Sequence, residues 1–276
     1  MIYSRKSIIR KTRQKKTVEK GRLFARKMGF IFVGLLFITG ILAWQSGNEK
    51  ALISEINISG NEVTNEKDIR KITQREMSGK YGWLFHRDNI FIYPKRNIEK
   101  ELFALDKRIQ EINIYRDSLT GIAIEVSERK PRYVWCESAH EEEVADNCFF
   151  LDDEGYIFAK APQFSGSVFF EFYGTRDFAD NPLGNTFFEK SEFEKFVALK
   201  NEMERFNFEP VAFMEKEKGD FNILLKDGVN IMFNKNQDID VQLENLNSVA
   251  ETINSSNKQL EYVDLRFGNK VFYKFK

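Results

Sequence analysis

Polar and basic residues give way at Met28 to an unbroken apolar run, MGFIFVGLLFITGILAW, which ends at Trp44. No charge falls between Lys27 and Glu49. As a helix, seventeen residues reach about 26 Å, and with Gln45–Gly47 about 30 Å, the thickness of one bilayer core. No other stretch is long and apolar enough to span a membrane. Beyond it the pattern breaks into short segments. Ala51–Ser59 carries Ile53, Ile56 and Ile58 in a strand pattern, and Gly60-Asn61 turns it. Thr64 is the expected N-cap of a helix reaching about Met77, with Ile69 and Ile72 on its buried side and Glu66 and Asp68 in its first turn. Gly79–Phe85 is a glycine-rich break expected to bring Trp83, Leu84 and Phe85 to one place. Pro94 suits the first turn of a second helix, in which Ile98, Leu102 and Leu105 share a face. Gln110–Arg116 and Ile122–Ser127 read as strands joined by a hairpin loop at Asp117–Gly121. The order is β-α-α-β-β.

The rest of the chain predicts a strand-rich α+β region. Tyr133–Cys136, Cys148–Leu151, Tyr156–Ala159 and Val168–Tyr173 read as strands, with a tight turn at Asp152–Gly155. Ser191 is the expected cap of a helix reaching about Phe206, with Phe193, Phe196, Val197, Met203 and Phe206 on one side. Three strands follow at Val211–Glu215, Phe221–Lys226 and Val229–Asn234, the last two joined by the two-residue turn Asp227-Gly228. Asp238 is placed to cap a helix whose Ile239, Leu243, Leu246, Val249 and Ile253 form a core-facing stripe. Tyr262–Phe267, Gly268-Asn269 and Lys270–Phe275 make a closing hairpin.

Charge gives the apolar run a direction. Residues 1–27 hold eleven Lys/Arg against the single acid Glu19, which leaves 31 basic and 41 acidic residues beyond them. The zero net charge therefore conceals a basic tail and an acidic remainder. Positive residues stay on the cytoplasmic side, so the expectation is an N-terminus inside and residues 46–276 outside. A cleaved signal peptide is the rival, but Ala43-Trp44-Gln45-Ser46 offers no well-placed small-x-small pair and the run is long for a signal. The basic tail could bind nucleic acid; beside a membrane segment it reads first as an orientation signal and lipid-surface contact. The expected divisions are a basic cytoplasmic tail (1–27), a transmembrane helix (28–46), a β-α-α-β-β domain (51–129) and a strand-rich domain (130–276).

Cys136 and Cys148 both fall outside the expected membrane segment. A disulfide would close a thirteen-residue loop and contribute about 3 kcal/mol by loop entropy. Free thiols are the second reading. Metal binding is the third, with His140 and Glu141–Glu143 between the cysteines, although Cys-x3-His-x7-Cys matches no standard zinc spacing. No metal or cofactor is expected.

The β-α-α-β-β region resembles a polypeptide-transport-associated (POTRA) domain. That family opens on I-x-V-x-G-N followed by a Ser/Thr and an Ile, matched here by Ile56-Asn57-Ile58-Ser59-Gly60-Asn61, Thr64 and Ile69. It closes on a strand and an E-x-x-P step, matched by Val126 and Glu128–Pro131. Further on, Phe149–Phe158 (FFLDDEGYIF) is similar to the L-I-D-x-x-G-x-V-F hairpin of the FtsQ/DivIB family of bacterial cell-division proteins. Phe164-Ser165-Gly166 stands at that family's L-P-x-(L/F)-x-G step, and Tyr262–Phe267 (YVDLRF) is close to its terminal Y-(I/V)-D-L-R-(F/Y). The Cys136–Cys148 insert departs from the pattern, as does a chain that stops soon after the last strand.

This resemblance implies a non-enzymatic assembly factor of the division septum. Such a protein binds small single-span coiled-coil partners of FtsB and FtsL type and, through them, acts on a septal peptidoglycan synthase. It implies a final edge strand to which the FtsB-type partner adds a strand, with Phe267 as the aromatic contact. Tyr262, Arg266, Gly268, Asn269, Val271 and Tyr273 make up the rest of that edge. A plain core role is the competing reading for Phe267. No catalytic residues are expected. Asp152, Asp153 and Glu154 could suggest a wall-degrading glycosidase, but three acids in a tight turn read more simply as a solvated turn. A secretion-related POTRA protein unrelated to division is the alternative; a barrel-assembly version would need a downstream transmembrane barrel, for which the remaining residues leave no room.

Overall fold

In the computed structural model of the protein, the residues described are 26–137, 147–164, 166–176, 178, 181–254, 256 and 259–276. The basic tail before Arg26, His140, Glu141–Glu143 and Ser165 lie outside them. The chain forms two compact units. One comprises the residues up to Asn61, Asn65–Leu102 and Ile112–Val126; the other comprises Ser127–Lys276 with Glu62–Thr64 and Phe103–Glu111.

The apolar run forms α1, Arg26–Ser46, the one helix among the described residues long and apolar enough to cross a membrane. At 21 residues it is about 31 Å long. Nearly all its side chains are exposed, as a helix needing lipid rather than a protein core requires.

The first unit carries β1 (Glu55–Ser59), α2 (Glu66–Met77), β2 (Lys80–Tyr81), β3 (Phe85–His86), α3 (Lys95–Leu105), β4 (Ile109–Arg116) and β5 (Gly121–Glu128), the last residues of α3 and β5 and the first of β4 being counted with the other unit. β5 lies between β1 and β4, with Ile56 opposite Ile122 in a parallel β1–β5 pair. Ile69 and Thr73 of α2, Ile98 and Leu102 of α3, and Ile114, Ile122 and Ile124 of the sheet are buried. Gly60 takes a φ of 80°, and a Cβ there would run into the Val126 carbonyl, so the turn after β1 requires glycine.

Two local expectations are corrected. Asn65, not Thr64, caps α2: its side chain accepts from the Lys67 N–H at 2.9 Å. Thr73, not Ile72, occupies the fully buried turn of that helix, its hydroxyl donating to the Ile69 carbonyl at 2.8 Å. Trp83 and Leu84 do come to one place, though not in a core. They sit at the tip of the β2–β3 hairpin, 93% and 53% exposed.

The second unit is a nine-stranded sheet in the order β14-β13-β12-β11-β10-β9-β6-β7-β8. Its strands are β6 (Tyr133–Cys136), β7 (Cys148–Leu151), β8 (Ile157–Lys160), β9 (Phe170–Tyr173), β10 (Pro210–Glu215), β11 (Asp220–Leu225), β12 (Asn230–Asn234), β13 (Leu260–Phe267) and β14 (Lys270–Phe275). Its helices are α4 (Lys190–Arg205) and α5 (Ile239–Asn254). The β9-α4-β10 and β12-α5-β13 segments are both parallel crossovers, each followed by an antiparallel strand. The same β-α-β-β unit thus occurs twice. Both helices pack their apolar sides into one core: Phe193, Phe196, Leu199 and Met203 from α4, Leu246, Ala250 and Ile253 from α5. Phenylalanine is its commonest residue, with Phe221 stacked on Phe213 at 5.0 Å and on Phe233 at 5.2 Å. Glu189, not Ser191, precedes the first turn of α4, and its side chain makes no capping bond. Cys136 and Cys148 are direct cross-strand partners in β6–β7 and form a disulfide.

Candidate partner-binding edge

β14 is the outermost strand of the nine-stranded sheet, paired with β13 and with nothing on its other side among the described residues. The opposite edge, β8, is partly covered: Gly184 donates to the Ile157 carbonyl at 2.8 Å, and Ile157 donates to the Asn185 carbonyl at 2.9 Å. An uncovered strand offers main-chain donors and acceptors to an added strand, and its alternating side chains set which segment fits.

Alternation along β13 separates anchor from surface. Val263 and Leu265 are fully buried in the core. Asp264 and Arg266 meet on the other face, where the Arg266 guanidinium donates to Asp264 at 2.7 and 2.9 Å and to Asp220 on β11 at 2.5 Å. Burial disfavours the charge on Asp264, but the side-chain and main-chain hydrogen bonds from Arg266 outweigh it and hold the carboxyl below its ordinary pKa. Hydrogen bonding to Asp264, then to Asp220, keeps the guanidinium more firmly protonated still. Arg266 therefore ties β13 to β11.

The hairpin end is apolar and open. Phe267 is 56% and Phe272 49% exposed, their rings edge to face at 5.2 Å. Tyr273, also exposed, packs its ring against Phe275 at 5.7 Å. Val271 and Phe275 are half-buried against the core beneath. Tyr262 is half-buried opposite Lys274, and Gly268 and Asn269 form the turn. The expected edge residues thus do come together, with Arg266 and Val271 turned to the fold rather than to solvent. Phe272 was not singled out from the sequence; strict alternation of Lys270, Phe272 and Lys274 against Val271, Tyr273 and Phe275 is the signal that reveals it. The turn is secured from α5 and from the turn before it: Asn245 Nδ2 on the helix donates to the Gly268 carbonyl at 2.8 Å, and Gln237 Nε2 ahead of it donates to the Arg266 carbonyl at 2.7 Å.

Residues 143–266 match the family model for the C-terminal domain of the cell-division protein FtsQ/DivIB. That stretch of the chain is similar to the FtsQ/DivIB C-terminal domain and supports that family. The match supports a role in cell division. Among curated proteins, no match to the chain is found.

The FtsQ/DivIB hairpin around Asp152 has a structural explanation. Asp152 is buried; Oδ1 accepts from the N–H groups of Glu154 and Tyr156, each at 2.9 Å, and Oδ2 is ion-paired with Arg129. The Arg129 guanidinium also lies over the Tyr156 ring, 4.0 Å from its centroid. Glu154 is ion-paired with Lys190. Two of the three acids thus fix the turn, and Gly155 completes it with a φ of 78° and Phe193 2.9 Å from where a Cβ would stand. No group of three or more metal-ligating side chains occurs among the described residues.

Proposed function

We propose that the protein is a non-enzymatic, single-span scaffold of the bacterial division septum, with its N-terminus in the cytoplasm and both folded units outside. Its β14 edge receives a strand from a small coiled-coil partner of FtsB type. With an FtsL-type companion, that complex connects the protein to septal peptidoglycan synthesis. The observation that carries this reading is the uncovered β14 with Phe267, Phe272 and Tyr273 exposed along it. The topology draws on the basic tail and on the Cys136–Cys148 disulfide, a bond that persists outside the reducing cytoplasm.

The test is co-purification of the full-length chain with membrane proteins of its own cell, beside the Phe267→Lys variant. Small coiled-coil division proteins retained by the first and lost by the second support both the scaffold and its edge. Equal retention moves the site elsewhere, and absence of any division protein removes the scaffold reading.

A further inference from the structure

We propose that the loops of the first unit nearest the end of α1 are seated in the lipid interface, with Trp83 inserted among the headgroups as a second anchor beside the helix. The inference rests on α1 crossing the membrane.

The end of α1 is built into these loops. Ser46 and Asn89 are buried together: Asn89 Nδ2 donates to the Ser46 carbonyl at 2.9 Å, and the His86 N–H donates to Ser46 Oγ at 3.3 Å. Downstream, Ile90 donates to the Ala51 carbonyl and Ile53 to the Asp88 carbonyl, each at 2.8 Å. Ser54 then donates to the Thr120 carbonyl at 2.8 Å, drawing the β4–β5 loop to the same end. The segment after the helix is thus hydrogen-bonded into the domain, so these loops must stay close to wherever α1 leaves the bilayer. Trp44, 81% exposed, lies half a turn before Ser46 and is placed as the interfacial residue of the helix itself.

These loops expose what a water-facing surface would avoid. Trp83 is 93%, Leu84 53%, Phe91 69%, Ile92 41% and Leu119 86% exposed. Trp83 also holds a left-handed backbone, φ 63°, a conformation glycine or asparagine adopts with far less strain. A tryptophan kept there almost wholly exposed suits a ring whose partner is lipid: its body is apolar and its indole N–H is polar. Arg116, 4.7 Å from the Phe91 ring, is placed to meet lipid phosphates, while Arg87, 5.4 Å from the Tyr81 ring, is paired with Glu76 at 3.8 Å. The neighbouring acids are engaged, Asp88 with His86 at 3.5 Å and Asp117 with Asn57 at 2.6 Å.

The test uses the full-length protein in vesicles of phosphatidylcholine and phosphatidylglycerol whose acyl chains are brominated near the headgroup. Trp135, 1% exposed in the core of the second unit, gives the same background in every variant. In Trp44→Phe, the emission that disappears on adding Trp83→Phe should be strongly quenched relative to unbrominated vesicles. Trp83→Phe alone reports Trp44. Quenching of both supports the proposal. Quenching of Trp44 without Trp83 overturns it, leaving these loops to water or a protein partner. If Trp44 is unquenched, the membrane reading of α1 itself has failed, and the inference falls with it.

Discussion

The side-chain amide of Asn245 on α5 donates to the carbonyl of Gly268 at the turn between β13 and β14, 2.8 Å away. A two-residue turn at a sheet edge is free to twist, and this bond fixes it to the helix that packs beneath the sheet. The expected consequence of Asn245→Ala is a local one. Loss of a single exposed hydrogen bond costs about 0.5–1 kcal/mol. Global stability should change little, while amide exchange at 267–271 speeds up and partner affinity falls by about two- to fivefold. Exchange measured with and without partner checks this.

Phe267→Lys and Phe272→Ala should separate binding from folding. Both rings are about half exposed, so the folded chain loses little, and unfolding midpoints should stay close to the parent. If the two rings form the apolar anchor for an added strand, each substitution costs about 1–2 kcal/mol of affinity, roughly five- to thirtyfold. Titration with an FtsB-type ectodomain reads this directly. Unchanged affinity in both variants would show that the edge is not the site.

Glu128 explains in physical terms why the E-x-x-P step follows the closing strand of the first sheet. Its carboxylate accepts from the N–H groups of Glu62, Val63 and Thr64 at 2.8–3.3 Å, gathering the chain ahead of α2. Burial opposes its charge, but these backbone donors, with the Thr64 side chain, prevail and lower the pKa. A lowered folded-state pKa means stability that is present above the unfolded pKa and is lost as pH falls through the folded one. Glu128→Gln should therefore be destabilised by about 1 kcal/mol at pH 7, the group being largely solvent-screened. The difference from the parent should shrink in acid, below the carboxylate range. Urea unfolding at pH 7 and pH 3 measures both.

Where sequence and structure part, the cause is tertiary. Alternation located β13 and β14, and the i, i+7 spacing of Leu246 and Ile253 agrees with the buried side of α5, because each pattern records one face meeting the core. Thr64 fits a cap by type as well as Asn65 does, yet its N–H is taken by Glu128, sixty-four residues away, which no local pattern registers. The Trp83 segment has core composition, yet it forms a hairpin tip where Trp83 takes a positive φ and its ring is exposed. At the candidate edge, Phe267 was legible through the YVDLRF motif. Alternation alone puts Phe272 on the side of Lys270 and Lys274; what no local pattern registers is its pairing opposite Asp264, with a bulge between Asp264 and Phe267, and the contact of its ring with Phe267. Gln242 was missed too: almost fully buried, it both accepts from the Asn234 N–H and donates to the Asn234 carbonyl at 2.9 Å.

Gly155→Ala is a sharp test of the Asp152 hairpin. The residue needs a φ of 78°, and the new methyl would press on the Phe193 ring at 2.9 Å, where α4 packs. Strain and overpacking together are expected to cost about 2–4 kcal/mol. Gly166→Ala is a useful comparison, because it shares the positive φ but has nothing within 4 Å of a Cβ. It should lose only about 1 kcal/mol. Thermal unfolding of the two variants separates backbone strain from the packing of α4.

Removing the Cys136–Cys148 bond should loosen the second unit without dismantling it. The bond joins direct partners of β6 and β7 and closes a loop with a sequence separation of 12. Chain entropy assigns such a loop about 3 kcal/mol. The core of that unit does not depend on it: Trp135, Phe172, Phe213 and Phe221 are buried on the helix-covered face, while Cys136 belongs to a smaller cluster with Val134, Ala161, Tyr173 and Ala212. The Cys136→Ser/Cys148→Ser variant should therefore keep its circular dichroism spectrum and β14-dependent partner binding while unfolding at lower urea. Loss of native structure in the absence of denaturant would mean that the disulfide, rather than the phenylalanine core, holds the sheet together.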